Sequence, residues 1–198
     1  WTRGAVTDVV MGDDAVPLGD FPRRATQLIL GLAGALLAAC DDGTVITRVQ
    51  VWGDARSYFT TAGAAGVATE VHGRPFARVS AEEVVARLRP PPGMAQDVRF
   101  RLVRQGEQAE GVRLLLVFNR TDVPDTIRDC RRSARGQTLP VEPNPAREVG
   151  FTVTATLCDA EARVATAHME ATRTRADDPE EFGRVMRLLL IQITTNDD

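Results

Sequence analysis

The stretch that most constrains this chain covers residues 23–40, which read RRATQLILGLAGALLAAC. Arg23 and Arg24 precede an apolar, small-residue run over 28–39 that stops at Cys40, and no charge falls between Arg24 and Asp41. A positive start, a short apolar middle and a small-residue end are the layout of an export signal. The run is too short to cross a bilayer, which takes roughly 20 residues. It is apolar all round and lacks the polar stripe that gives a surface helix its solvent face. Two readings stand. Either the working protein begins at Cys40, or residues 25–40 are a core helix of a cytosolic globular domain.

The last four residues of the stretch, Leu37-Ala38-Ala39-Cys40, resemble the lipobox of bacterial lipoproteins. That resemblance implies cleavage before Cys40, lipidation of its thiol, and a protein anchored in the cell envelope on the periplasmic side. It divides the chain into 1–39, an N-terminal extension with a signal peptide, and 40–198, the mature domain. Asp41 directly after the cysteine resembles the signal for retention in the inner membrane. Four further pieces resemble an uncharacterised group of bacterial lipoproteins. They are His72-Gly73-Arg74-Pro75-Phe76, Leu116-Val117-Phe118-Asn119, Leu157-Cys158-Asp159 and Asp178-Pro179-Glu180-Glu181-Phe182. That group carries no assigned activity, so it implies a location and a single domain.

Residues 1–22 include Asp8, Asp13, Asp14 and Asp20 and begin with Trp1. An acidic lead does not suit a signal sequence, so this segment reads as lying outside the working protein, with Met11 one candidate start. Net charge is −3, and the sequence holds no basic field that would take nucleic acid as a partner. All 24 basic residues are arginines, scattered as a GC-rich genome would leave them. Of the three cysteines, assigning Cys40 to the lipid leaves Cys130 and Cys158. An even pair in an exported chain is expected to form a disulfide, with a stabilisation of about 3–4 kcal/mol on the chain-entropy model. The alternative is two separate buried thiols.

Residues 44–52 alternate as a strand, with Val45, Thr47, Val49 and Val51 on one face. The Gly/Ala-rich stretch 60–66 reads as a loop, and 67–72 as a second strand. Ser80 and Glu83 form a capping box for a helix through Leu88, which Pro90-Pro91-Pro92 ends. Strands follow near 98–103 and 114–118, joined by a polar link that suits a hairpin. The Pro- and Gly-punctuated 122–144 reads as irregular. Residues 151–158 and 164–172 form two more strands, and Asp178-Pro179 opens a helix with Phe182, Val185, Met186, Leu189, Leu190 and Ile193 on one face. The expected fold is α+β, a single domain with a mainly antiparallel sheet of about five or six strands packed by two helices.

Chemistry is sparsely supplied. Three serines (Ser57, Ser80, Ser133) and two histidines (His72, His168) are present, without a nucleophile elbow, HExxH or phosphate-cradling glycine loop. No catalytic residue, cofactor or metal ligand is assigned. His72 and His168, with Glu70 or Glu170, are the residues on which a hydrolase or metal enzyme would have to draw. Arg128, Arg131, Arg132 and Arg135 flank Cys130 and form a possible anion-binding cluster, opposed by a solvated loop neutralised by Asp122, Asp125 and Asp129. The rigid bend holding His72, Arg74 and Phe76 is a possible binding turn, the competing reading being a strand exit with Phe76 in the core. The functional expectation is a non-enzymatic, membrane-anchored module with an envelope protein as its partner.

Overall fold

A computed structural model describes residues 43–63, 65–94, 98–104, 107, 111–142 and 146–195. The segment 23–40 with Cys40, and Asp41, lie outside the described residues. Six strands form one sheet in the order β1-β6-β5-β4-β2-β3. They are β1 (Thr44–Val51), β2 (Val67–His72), β3 (Phe100–Leu102), β4 (Val112–Phe118), β5 (Val149–Asp159) and β6 (Ala162–Arg175). Four helices complete the described part: α1 (Ala55–Gly63), α2 (Ala81–Arg87), α3 (Thr126–Ala134) and α4 (Pro179–Thr194). The fold is α+β, and the sheet is mostly antiparallel. Among the described residues no helix is long and apolar enough to cross a membrane.

The capping box is present at α2, where Ser80 Oγ accepts from Glu83 N and Glu83 Oε2 accepts from Ser80 N. Asp178 caps α4, with Pro179 in its first turn. Three expectations are corrected. The hairpin between β3 and β4 does not form, because both strands lie parallel to β2 on its two sides. Residues 60–63 of the stretch 60–66 are the end of α1, which Asp54 caps by accepting from Ser57 N. Residues 126–134 are helical too, with Asp125 as N-cap.

A fourth correction concerns β1. Thr47 pairs with His168 and Gln50 with Thr166, so two residues of β1 stand opposite one of β6. This bulge reverses the alternation at Arg48. Val49 and Val51 therefore join Ile46 against the main core, instead of sharing a face with Val45 and Thr47.

The sheet has unequal faces. On one, α1, α2 and α4 cover Leu114, Leu116 and Phe118 of β4 and Phe151, Val153, Ala155 and Leu157 of β5. Phe76, Phe118, Phe151 and Phe182 meet there, with ring centroids 5.5 Å apart for Phe76–Phe151 and for Phe151–Phe182. Among the described residues, the other face carries only α3 and a small cluster of Leu115, Val117, Cys130, Leu139 and Cys158. The Cys130–Cys158 disulfide joins α3 to β5.

Candidate functional site

Three of the four pieces quoted for the resemblance, 72–76, 116–119 and the start of α4, meet in space. Gly73 has φ +74°, and a Cβ there would stand 2.6 Å from Phe118 O, so only glycine lets the turn lie this close to β4. Asn119, just past β4, donates from Nδ2 to Arg74 O at 2.6 Å and to Pro75 O at 3.2 Å. Phe76 is fully buried in the aromatic cluster, beside Phe182 from the start of α4. The bend at 72–76 is thus clamped, with Arg74 exposed, Phe76 inside, and His72 left at the edge of a cleft.

This cleft, about 200 Å3, lies between β2, the segment after β3, and the end of α3. Its lining includes Glu70, His72, Val103, Arg104, Ser133 and Gln137. Alternation along β2 turns Glu70 and His72 to the α3 side, and α3 brings Ser133 over them. His72 Nε2 donates to Glu70 Oε2 at 3.2 Å, since a carboxylate can only accept. Ser133 Oγ donates to the other carboxylate oxygen, Glu70 Oε1, at 2.6 Å. Arg113, 1% exposed, completes the chain by donating from Nε to Ser133 Oγ at 2.6 Å. Its Nη2 donates to Cys130 O and Ala160 O, both at 2.7 Å.

Burial pushes the Glu70 carboxyl up, but the hydrogen bonds from His72 and Ser133 and the nearby charge of His72 and Arg113 outweigh it. The net is a carboxyl held below its ordinary range, hence ionised at neutral pH. For Arg113, burial draws the guanidinium down while Glu70, Asp159 and Glu161 support its charge.

The order of this chain decides what it can do. An activated serine needs a histidine at its hydroxyl and a carboxylate behind the histidine. Here the carboxylate stands between serine and histidine, and a guanidinium occupies the serine's lone pair. Ser133 is held as a relay of hydrogen bonds and not as a nucleophile. What the cleft offers a visitor is a histidine ring, an ionised carboxylate and an apolar wall.

His168 is not part of it. His72 pairs with Val117, Val117 with Thr154, and Thr154 with His168, so the two histidines share one row across the sheet. Three strand spacings separate them, roughly 14 Å, too far to ligate one ion. Among the described residues no group of three potential ligands gathers.

The arginine cluster lies on a helix and not a loop. The spacing of Arg128, Arg131, Arg132 and Arg135 places all four along the side of α3 opposite Thr126, Asp129, Cys130 and Ser133, which are buried. Asp125 pairs with Arg128 at 3.6 Å and Glu161 with Arg135 at 3.4 Å. Asp122 and Asp129 serve a different cation: both hold Arg120, and Asp129 Oδ1 accepts from Arg120 Nη2 at 3.1 Å. Arg113 and Arg120, the two buried cations that fasten α3, went unseen in the sequence. The one legible sign was Arg113 heading an otherwise unbroken apolar strand, where a charge must be paired.

No protein-family model and no curated protein matches the chain. Among solved structures, the chain is similar to one described as the PelC dodecamer from Paraburkholderia phytofirmans, at 11% identity and a TM-score of 0.33. The match covers 78% of this chain and 98% of that one. At that level of likeness neither fold nor function transfers.

Proposed function

We propose that the protein is a lipid-anchored component of a bacterial cell envelope that acts by binding, with an envelope protein as its partner. The observation that carries this reading is the distribution of its three cysteines. Two are joined as Cys130–Cys158, which suits an oxidising compartment, and the third is the lipobox cysteine, Cys40. Anchorage through Cys40 leaves only residues 41–43 before β1 begins, so the domain would be held close to the membrane surface.

The cleft beside His72 supports binding over turnover. Its volume of about 200 Å3 is below the roughly 300–1,000 Å3 of ordinary small-molecule sites. It suits one protruding side chain or terminal group of a partner. The arginine stripe of α3 supports an acidic partner surface or anionic lipid beside it.

The test is the intact mass of the protein extracted with detergent from bacterial membranes, with and without reductant. The expected species starts at Cys40, carries a diacylglycerol and an acyl group, and gains two hydrogens on reduction. An unprocessed chain with three free thiols in the soluble fraction would return residues 25–40 to a cytosolic domain and sink the proposal.

A further inference from the structure

On the far side of α3 from the His72 cleft lies a second, smaller recess of about 90 Å3. Arg48 and Gln50 of β1, Thr154 of β5, Arg163, Thr166 and His168 of β6, and Thr126 at the start of α3 line it, with Pro124. Every side chain here except proline can donate a hydrogen bond, and no carboxylate is among them. We propose that this recess is a binding site for a single oxyanion group, a carboxylate or a phosphate, with Arg48 as its principal ligand.

Four observations converge on it. First, Arg48 is held at φ +53°, in the left-handed region that costs a non-glycine side chain free energy. The strain arises from the β1 bulge, and the bulge is what lets Arg48 line the recess while Val49 returns to the core. Second, Arg48 has no carboxylate partner among the described residues, so its planar fork of donors is available for a bidentate contact. Third, Arg163 is prepositioned. Its guanidinium stacks 3.4 Å from the Trp52 ring centroid, and Nη1 donates to Thr126 Oγ1 at 2.7 Å. Fourth, His168 shares a hydrogen bond with Thr154 Oγ1 through Nδ1 at 3.0 Å, which fixes the ring at the wall.

The opposing charges that act on the recess are Asp125, on Arg163, and Glu170, on His168. Asp125 is engaged in capping α3 and pairing with Arg128, and Glu170 follows His168 by two residues along β6. Neither lines the recess. The small volume limits the ligand to its anionic head. Any larger body must lie outside, where Trp52, 50% exposed, stands beside Arg163.

The strain at Arg48 supplies an unusual test, because removing the side chain relieves the backbone. The 198-residue chain is titrated separately with inorganic phosphate and with acetate while its two-dimensional 1H–15N and histidine-ring NMR spectra are followed. At least one anion is expected to shift the resonances of Arg48, Thr166 and His168 together, with a Kd of the order of 1 mM. The arm that binds tighter tells phosphate from carboxylate. Arg48→Gly should weaken that binding about tenfold or more while leaving the melting temperature equal or higher. Arg48→Lys, which keeps the charge but not the fork, should fall between. The proposal is overturned if neither anion moves these resonances, or if Arg48→Gly and Arg48→Lys bind as the natural protein does.

Discussion

The two faces of the sheet are built from the same strands and solve burial in opposite ways. Along β5, Phe151, Val153, Ala155 and Leu157 belong to the apolar core closed by α1, α2 and α4. The alternate residues Thr154, Thr156 and Cys158 are just as buried, yet they face the other way, toward α3 and its polar surroundings. There, each buried polar group needs its own partner, and Thr156 finds Thr166, Ser133 finds Glu70 and Arg113, and Asp129 finds Arg120. Apolar packing is tolerant and non-directional, whereas a hydrogen-bonded face fixes positions. Stability is concentrated on the first face, and both recesses open on the second.

This division can be broken by experiment. The largest effect is expected from Phe182→Ala, which removes a ring touching Phe76, Phe118 and Phe151. Urea unfolding should show a loss toward the upper part of about 3–5 kcal/mol. Arg113→Met comes next. It leaves the Glu70 carboxylate and the Cys130 carbonyl without their cation, a cost of about 3 kcal/mol. Adding Glu70→Leu should recover part of that loss, which no second change would do for Phe182→Ala. A matching loss in both Arg113 variants would mean that the polar face stabilises through Arg113 alone.

The smallest effect separates two groups of the polar face by pH. Burial, and then the Arg48 charge, hold His168 below its ordinary value of 6.5, with Glu170 pulling the other way. A depressed histidine lends stability that is complete above 6.5 and is lost as pH falls through its folded value. Glu70, also depressed, loses its contribution only below its ordinary 4.5. Unfolding free energy should therefore decline in two stages on acidification. His168→Asn should remove the upper stage and spare the lower one.

The same division governs what could be read from the sequence. Elements of the apolar face announced themselves: the alternation of β5, the cap at Ser80, and the six-residue stripe of α4 are all direct prints of burial. Helix α3 was illegible because its buried side is Thr126, Asp129, Cys130 and Ser133, which leaves no apolar stripe to find. It is held by a disulfide and by buried arginines from elsewhere in the chain. Only the disulfide half of that was readable, from the cysteine count. Helix α1 hid behind its Gly- and Ala-rich end, although Asp54 offered a cap and Phe59 an anchor. The bulge at Arg48 shows only in pairing with β6, which no reading of β1 by itself supplies.

The position of β1 sets the timetable of assembly. Its first residue pairs with Ala171, near the far end of the chain, and its only neighbour among the described strands is β6. A chain that emerges N-terminus first therefore offers β1 no partner until β6 has also emerged. The β5–β6 hairpin, local in sequence, can form within itself, but closing β1 onto it spans most of the domain and is entropically slow. β2, by contrast, pairs with β3 and β4, which emerge well before β6. The edge of the sheet that comes first in the chain is therefore the one that can be completed only after its last strand has been delivered.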